Sequence, residues 1–152
     1  MRTGKLTITL GSGRAIKDMD IVGGSSDPYI VFSVDRKDTK RSRTQANSSS
    51  PNWDESFDFE VTDEAQYLYI ECYDEDSFKP DDLIGVAKVD LYRVMQQSPL
   101  SDWFQIRASN GSSTGEIHLN LSLEFTGGAT PVLTNPQEVL GWRPFQPTSP
   151  TF

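Results

Sequence analysis

A chain of 152 residues that is 36% hydrophobic and 24% charged can bury a core and still present a polar surface. Its net charge of −8 excludes the basic profile of a nucleic-acid binder, so any attraction to an anionic membrane must be local or carried by a cation. One cysteine, Cys72, excludes an internal disulfide; with no secretory segment over residues 1–10 and no apolar run near the roughly 18 residues of a membrane span, a cytosolic domain is expected.

The chain then reads as strands in succession. Leu6, Ile8 and Leu10 alternate with Thr7 and Thr9, and Ile30, Phe32 and Val34 with Val31 and Ser33. A basic strand is expected over residues 39–44. Phe57, Phe59 and Val61 give the next, and Leu68, Ile70 and Cys72 the one after. Strands over 83–89 and 103–107 follow, with a short helical turn between them at 91–97. The clearest run is last: Ile117, Leu119, Leu121, Leu123 and Phe125 alternate with polar residues. Period-two alternation marks half-buried strands, and eight short ones predict an all-β fold, an eight-stranded antiparallel Greek-key β-sandwich over residues 1–126. Residues 127–152 hold five of the nine prolines and only two charges, Glu138 and Arg143. This segment reads as a tail or linker with Trp142 and Phe145 as its natural anchors.

If each strand reverses the last, the first, third and fifth loops share one end. The fifth carries Asp74, Glu75, Asp76, Asp81 and Asp82 within nine positions. Like charges about 4 Å apart repel by roughly 4 kcal/mol at an effective dielectric of 20, so the crowding needs a reason. A solvated acidic turn is one. The first loop adds Asp18, Asp20 and Asp27 at the same end, which points instead to a hard divalent cation. Calcium takes six to eight oxygen ligands at roughly 2.3–2.6 Å, and bridging carboxylates let two or more ions share a cup. An EF-hand is excluded: counted from Asp74, its required glycine is Lys79 and its final glutamate is Gly85.

The stretches SDPYIVF, SPNWDESFDFEV, LYIECYDEDSFKPDDLIGVAKVDL and WFQI resemble a C2 domain, the resemblance covering residues 4–125. It implies a calcium- and phospholipid-binding sandwich of the second, circularly permuted topology. The family spacing D-x-D-x5-D falls on Asp74, Asp76 and Asp82, and the first-loop aspartate on Asp27. The family's other first-loop aspartate would fall on Ile21; Asp20 is the nearest acid, with Asp18 as the substitute. Carbonyls of Ile21 and Glu75 are the implied main-chain ligands. Ile21, Val22 and Phe78 are expected at the tips, where burial of each in lipid contributes roughly 1.5–3 kcal/mol, although Phe78 has a core role as its alternative. Lys40, Arg41 and Arg43 on the basic strand offer an anionic-headgroup site, with Arg41 and Arg43 on one face; a solubilising edge strand explains the same residues.

The implied function is calcium-dependent binding of anionic phospholipid, phosphatidylserine and also phosphoinositide, by a cytoplasmic module that becomes peripheral to the membrane when calcium rises. The alternative is a calcium-independent protein-interaction module using the basic strand or the proline-rich tail. An enzyme is not expected. His118 sits on the polar face of the last strand without a nucleophile, Cys72 faces the core, and GSGRAI at 11–16 lacks the third glycine and the helix of a dinucleotide loop. Trp53 is expected in the core.

Overall fold

The computed structural model describes residues 2–19 and 25–127. Asp20, Ile21 and Val22, together with Trp142 and Phe145 of the tail, lie outside the described residues.

Eight strands run β1 (Thr3–Arg14), β2 (Pro28–Val34), β3 (Thr39–Arg41), β4 (Asn52–Thr62), β5 (Tyr67–Asp74), β6 (Asp82–Asp90), β7 (Leu100–Arg107) and β8 (Ser113–Gly127). One helix, α1 (Leu91–Gln97), joins β6 to β7 where the helical turn is expected. Asp90 caps it by accepting the Tyr92 amide at 2.9 Å, and Leu91 and Val94 anchor it in the core. The strand order is β3-β2-β5-β6-β7-β8-β1-β4. Antiparallel pairing of β6 with β7 is confined to Val86 opposite Arg107, so the two four-stranded halves of the sandwich meet there and diverge beyond it.

Contacts divide the chain into two compact units. The larger is built on residues 6–59 and 65–123 and holds the sandwich interior. Alternation works there as read: in β5, Leu68, Ile70 and Cys72 are wholly buried while Tyr67, Tyr69, Glu71 and Tyr73 are half-buried. Phe32, Trp53, Ile84, Ile106, Ile117 and Leu119 meet them from the other strands. Burial first, and then the neighbouring charge of Asp74, pushes the Cys72 thiol up to about 12, so it serves as an apolar filler. The smaller unit includes residues 2–5, 60–64 and 124–127 among those described. In it Arg2 lies 4.6 Å from the centre of the Phe125 ring and pairs with Asp63 at 3.4 Å.

β7 begins at Leu100, three residues before the expected start, and two further boundaries differ nearer the loops. β3 stops at Arg41 rather than continuing to Thr44, because Ser42 turns inward. Its hydroxyl accepts the Ile30 amide at 2.9 Å and its own amide donates to the Ile30 carbonyl at 2.8 Å. β4 starts at Asn52, five residues before the first apolar alternation is visible, since Trp53 is already in the core.

Candidate functional site: the acidic apex

The first, third and fifth loops are stitched together by hydrogen bonds. The β2–β5 register places Pro28 opposite Asp74, so both strands enter their loops side by side. The Asp27 amide donates to Asp74 Oδ1 at 2.9 Å, and the Glu75 amide to the Asp27 carbonyl at 3.0 Å. From the third loop, the Asn47 amide donates to Asp27 Oδ1 at 2.5 Å and Ser48 to the Ser26 carbonyl at 2.9 Å. Asn47 Oδ1 accepts the Ser25 amide at 2.7 Å. Asp74 is only 3% exposed, a depth that requires these partners.

The fifth loop folds on itself. Asp76 Oδ1 accepts the amides of Phe78 at 2.8 Å and Lys79 at 3.2 Å, an Asx-type turn. Asp81 Oδ1 accepts the Asp76 amide at 3.0 Å. The Lys79 ammonium lies 3.1 Å from Asp82 Oδ2 and 3.9 Å from Asp76 Oδ2, between two of the carboxylates expected to bind a cation. Phe78 is 99% exposed at the tip, which removes its core alternative. Asp27, Asp74, Asp76 and Asp82 are thus brought to one end, and Asp18 is exposed nearby in sequence to Asp20. Yet among the described residues no three His, Cys, Asp or Glu side chains are gathered closely enough to hold a metal ion. The carboxylates are held by amides and by Lys79, and like charges drawn closer would repel. Their hard oxygen donors suit calcium in kind.

Sequence reasoning missed the role of Tyr29. Its hydroxyl donates to Asp81 Oδ2, its ring stacks on Tyr73 at 5.5 Å, and the Arg41 guanidinium lies 3.6 Å above it. Arg41 also donates to Thr44 Oγ1 at 3.0 Å, and Thr44 donates to Glu75. Two chains of contacts therefore lead from the basic strand to the acidic loop. Burial and then the Asp81 hydrogen bond push the Tyr29 phenol from 10.0 up to about 12. The same bond, first, and the Asp76 amide hold the Asp81 carboxyl below 3.8. A raised phenol stabilises the fold below pH 10.0 and loses that contribution as pH rises through about 12. A lowered carboxyl contributes above pH 3.8 and loses it as pH falls through its depressed value. Urea unfolding should show Tyr29→Phe less stable by a constant amount between about pH 4 and about pH 10, with the gap narrowing on either side. A gap that ignores pH would dismiss the tie.

The basic positions engage different partners. Arg41 lies over Tyr29 of β2, whereas Arg43 pairs with Glu55 at 3.2 Å and donates to the Trp53 carbonyl at 2.7 Å, both on β4. Both arginines are exposed on either side of the buried Ser42, and it is their partners that differ. Lys40 donates to the Asp58 carbonyl and lies 5.2 Å from the Phe59 ring centre. His118 packs edge-on against Trp103 at 5.3 Å, with Ser101 at 3.3 Å, on the outer surface of β7 and β8.

The strands and loops together define an antiparallel β-sandwich whose one end carries aspartates from two hydrogen-bonded loops. The chain belongs to the C2 domain family, whose model matches residues 4–106. It is 33% identical over 120 residues to synaptotagmin-5 of Arabidopsis thaliana, covering 78% of this chain and 20% of that protein. It is 38% identical over 101 residues to extended synaptotagmin-3 of Mus musculus, covering 66% of this chain and 11% of that protein. Among solved structures, the calcium-bound pair of C2 domains from extended synaptotagmin 2 superposes with a TM-score of 0.71 at 30% identity, over 81% of this chain and 46% of that one. A single C2 domain of plant extended synaptotagmin 1, at 16% identity and a TM-score of 0.71 over 84% of this chain and 99% of that one, shares the fold. The chain spans a tenth to a fifth of the curated relatives named here. Among the described residues no helix is long and apolar enough to cross a membrane.

Proposed function

We propose that this domain binds calcium at the acidic apex and, through it, anionic phospholipid membranes, as a membrane-targeting or signalling module rather than an enzyme. The observation that carries this reading is the joining of the loops, with Asp27 bonded to Asp74, Asp76 and Asp82 beside them, and Phe78 fully exposed between. Asp20 and the carbonyls of Ile21 and Glu75 complete the ligand set, for two or more ions. The calcium-bound relative supports it.

The charge balance makes the switch. A chain of net charge −8 is repelled by phosphatidylserine until divalent cations neutralise the apex, after which Ile21, Val22 and Phe78 enter the interface. Lys40, Arg41 and Arg43 add a second attraction for phosphoinositide headgroups. The domain is then cytoplasmic at low calcium and peripheral to the membrane when calcium rises, with the sandwich of residues 1–126 acting and the tail of 127–152 tethering a protein partner.

Sedimentation with phosphatidylserine vesicles tests this, in calcium and in chelator and beside neutral vesicles. Pelleting with anionic vesicles only in calcium is expected; pelleting indifferent to calcium sinks the proposal.

Lys79 is a built-in competitor in this reading, since a calcium ion held by Asp76 and Asp82 must displace its ammonium. Exposed pairs are worth about 0–1 kcal/mol each, so Lys79→Met should bind calcium roughly three- to tenfold more tightly in titration calorimetry. The gain should shrink with added salt. Equal or weaker binding would mean that Lys79 supports the loop more than it occupies the site.

A further inference from the structure

We propose that a groove on the outer face of β5, β6 and β7 binds an extended acidic segment of a partner protein that also carries an aromatic or aliphatic side chain. This lies apart from the apex and does not rest on the calcium reading.

The groove holds about 600 Å³ and is lined by Arg36, Tyr69, Val86, Lys88, Phe104 and Arg107. It opens where the sheet parts. β6 pairs with β7 only at Val86 opposite Arg107, so beyond that pair the two strands line the groove without ladder pairing. Val86 is 43% exposed on this surface, an apolar side chain that the fold does not cover.

Three cations line the groove, and among the described residues none of them is ion-paired, as is also true of Lys5, Lys17, Lys37, Lys40 and Arg41. Arg36 lies 4.4 Å from the centre of the Tyr69 ring and Lys88 4.4 Å from that of Tyr67. Arg107 donates to the Gly111 carbonyl at 2.9 Å. One carboxylate, Glu71, also lines the groove, and it accepts the Tyr73 hydroxyl at 2.9 Å. A locally cationic surface on a chain of net charge −8 selects an anion.

The spread of the cations selects the kind of anion. Arg36 stands over Tyr69 of β5, Lys88 is on β6 and Arg107 on β7, strands set about 4.8 Å apart where they pair. Lys88 is about 7 Å along its strand from the Val86–Arg107 pair. Val86, opposite Arg107, and Phe104 line the same groove. A single phosphate needs donors that converge on one point, whereas carboxylates along an extended chain match cations spaced along a groove, and its apolar side chain covers Val86 and Phe104. Tyr69, with Lys88 opposite it, is five residues down β5 from Asp74, about 17 Å from the apex, so membrane and partner engage separate surfaces.

The test is an amide NMR titration of the isotope-labelled full chain with the synthetic peptide Glu-Glu-Phe-Glu-Glu, in chelator and again in calcium. The expected result is perturbation of the amides of residues 86–88 and 105–107 in both conditions. Lys88→Glu with Arg107→Glu should weaken the peptide about tenfold while leaving calcium-dependent vesicle sedimentation unchanged. Arg36→Glu, in the β2–β3 turn, provides a second variant should the double one lose its amide dispersion. Three outcomes would overturn the proposal: no perturbation, perturbation centred on residues 40–43, or equal binding by the charge-reversed chains. Binding of phosphatidylserine vesicles in chelator that these variants lose would also overturn it, because the groove would then serve lipid.

Discussion

Replacing Asp74 and Asp76 together by asparagine should cost this chain at least about a hundredfold in calcium affinity and abolish its calcium-dependent binding to anionic vesicles. Ligand charge count is a main determinant of calcium affinity, and this change removes two charges from the fifth loop while keeping the oxygen acceptors. Asparagine at position 74 can still accept the Asp27 amide, and at position 76 the amides of Phe78 and Lys79, so the loops should stay joined. Unchanged amide dispersion alongside lost calcium binding in calorimetry is therefore the expected pair of results. Phe78→Ala supplies the opposite arm. Its ring makes no packing contribution at 99% exposure, so calcium binding should persist while vesicle affinity falls roughly ten- to a hundredfold, the value of one apolar side chain buried in lipid. Calcium binding retained by the double asparagine chain would place the ions elsewhere or remove them from the function.

The features legible in the sequence are those set by single-residue chemistry repeated at a fixed period. Alternation in β1, β5 and β8 is strong enough to be read residue by residue, because each strand has one face against the core. Phe78 stands out because Ser77, Lys79 and Pro80 cannot continue a strand around it. What stayed hidden depends on register. Nothing in KDTKRSRT announces that Ser42 bonds Ile30 and that β3 ends at Arg41. Tyr29 reads as a strand residue until the β2–β5 register brings it to the fifth loop, where it holds Asp81. Lys79 reads as one more solvated charge, although its spacing of three from both Asp76 and Asp82 is a local signal that could have been taken. The parting of β6 from β7 is likewise set by register, since LIGVAKVDL reads as strand-forming without showing where pairing ends.

Trp53→Ala should destabilise the domain by about 3–5 kcal/mol, a large share of the stability of an ordinary domain. The indole is wholly buried, the largest side chain in the interior, and Gly13 of β1 packs so closely that a Cβ there would meet the ring at 3.2 Å. Neighbouring backbone cannot collapse far into the space it leaves, so the cavity cost adds to the lost transfer energy. Trp53→Phe separates volume from polarity. Nε1 of Trp53 is the one buried side-chain nitrogen or oxygen among the described residues without a hydrogen-bond partner. Phenylalanine therefore forfeits no bond and relieves a buried donor, a relief of about 1–3 kcal/mol that offsets part of its smaller volume. Urea unfolding should accordingly rank the native chain and Trp53→Phe close together and Trp53→Ala far below. The position also bears on the apex, because β4 begins at Asn52 directly after the third loop and the Trp53 carbonyl holds Arg43. A Trp53→Ala chain that still folds should show its largest amide shifts in residues 42–51, ahead of the core strands. A loss below about 1 kcal/mol for Trp53→Ala would mean that this end of the sandwich packs loosely around the indole. The loops would then owe their positions to the hydrogen bonds of Asp27, Asn47 and Asp74 alone.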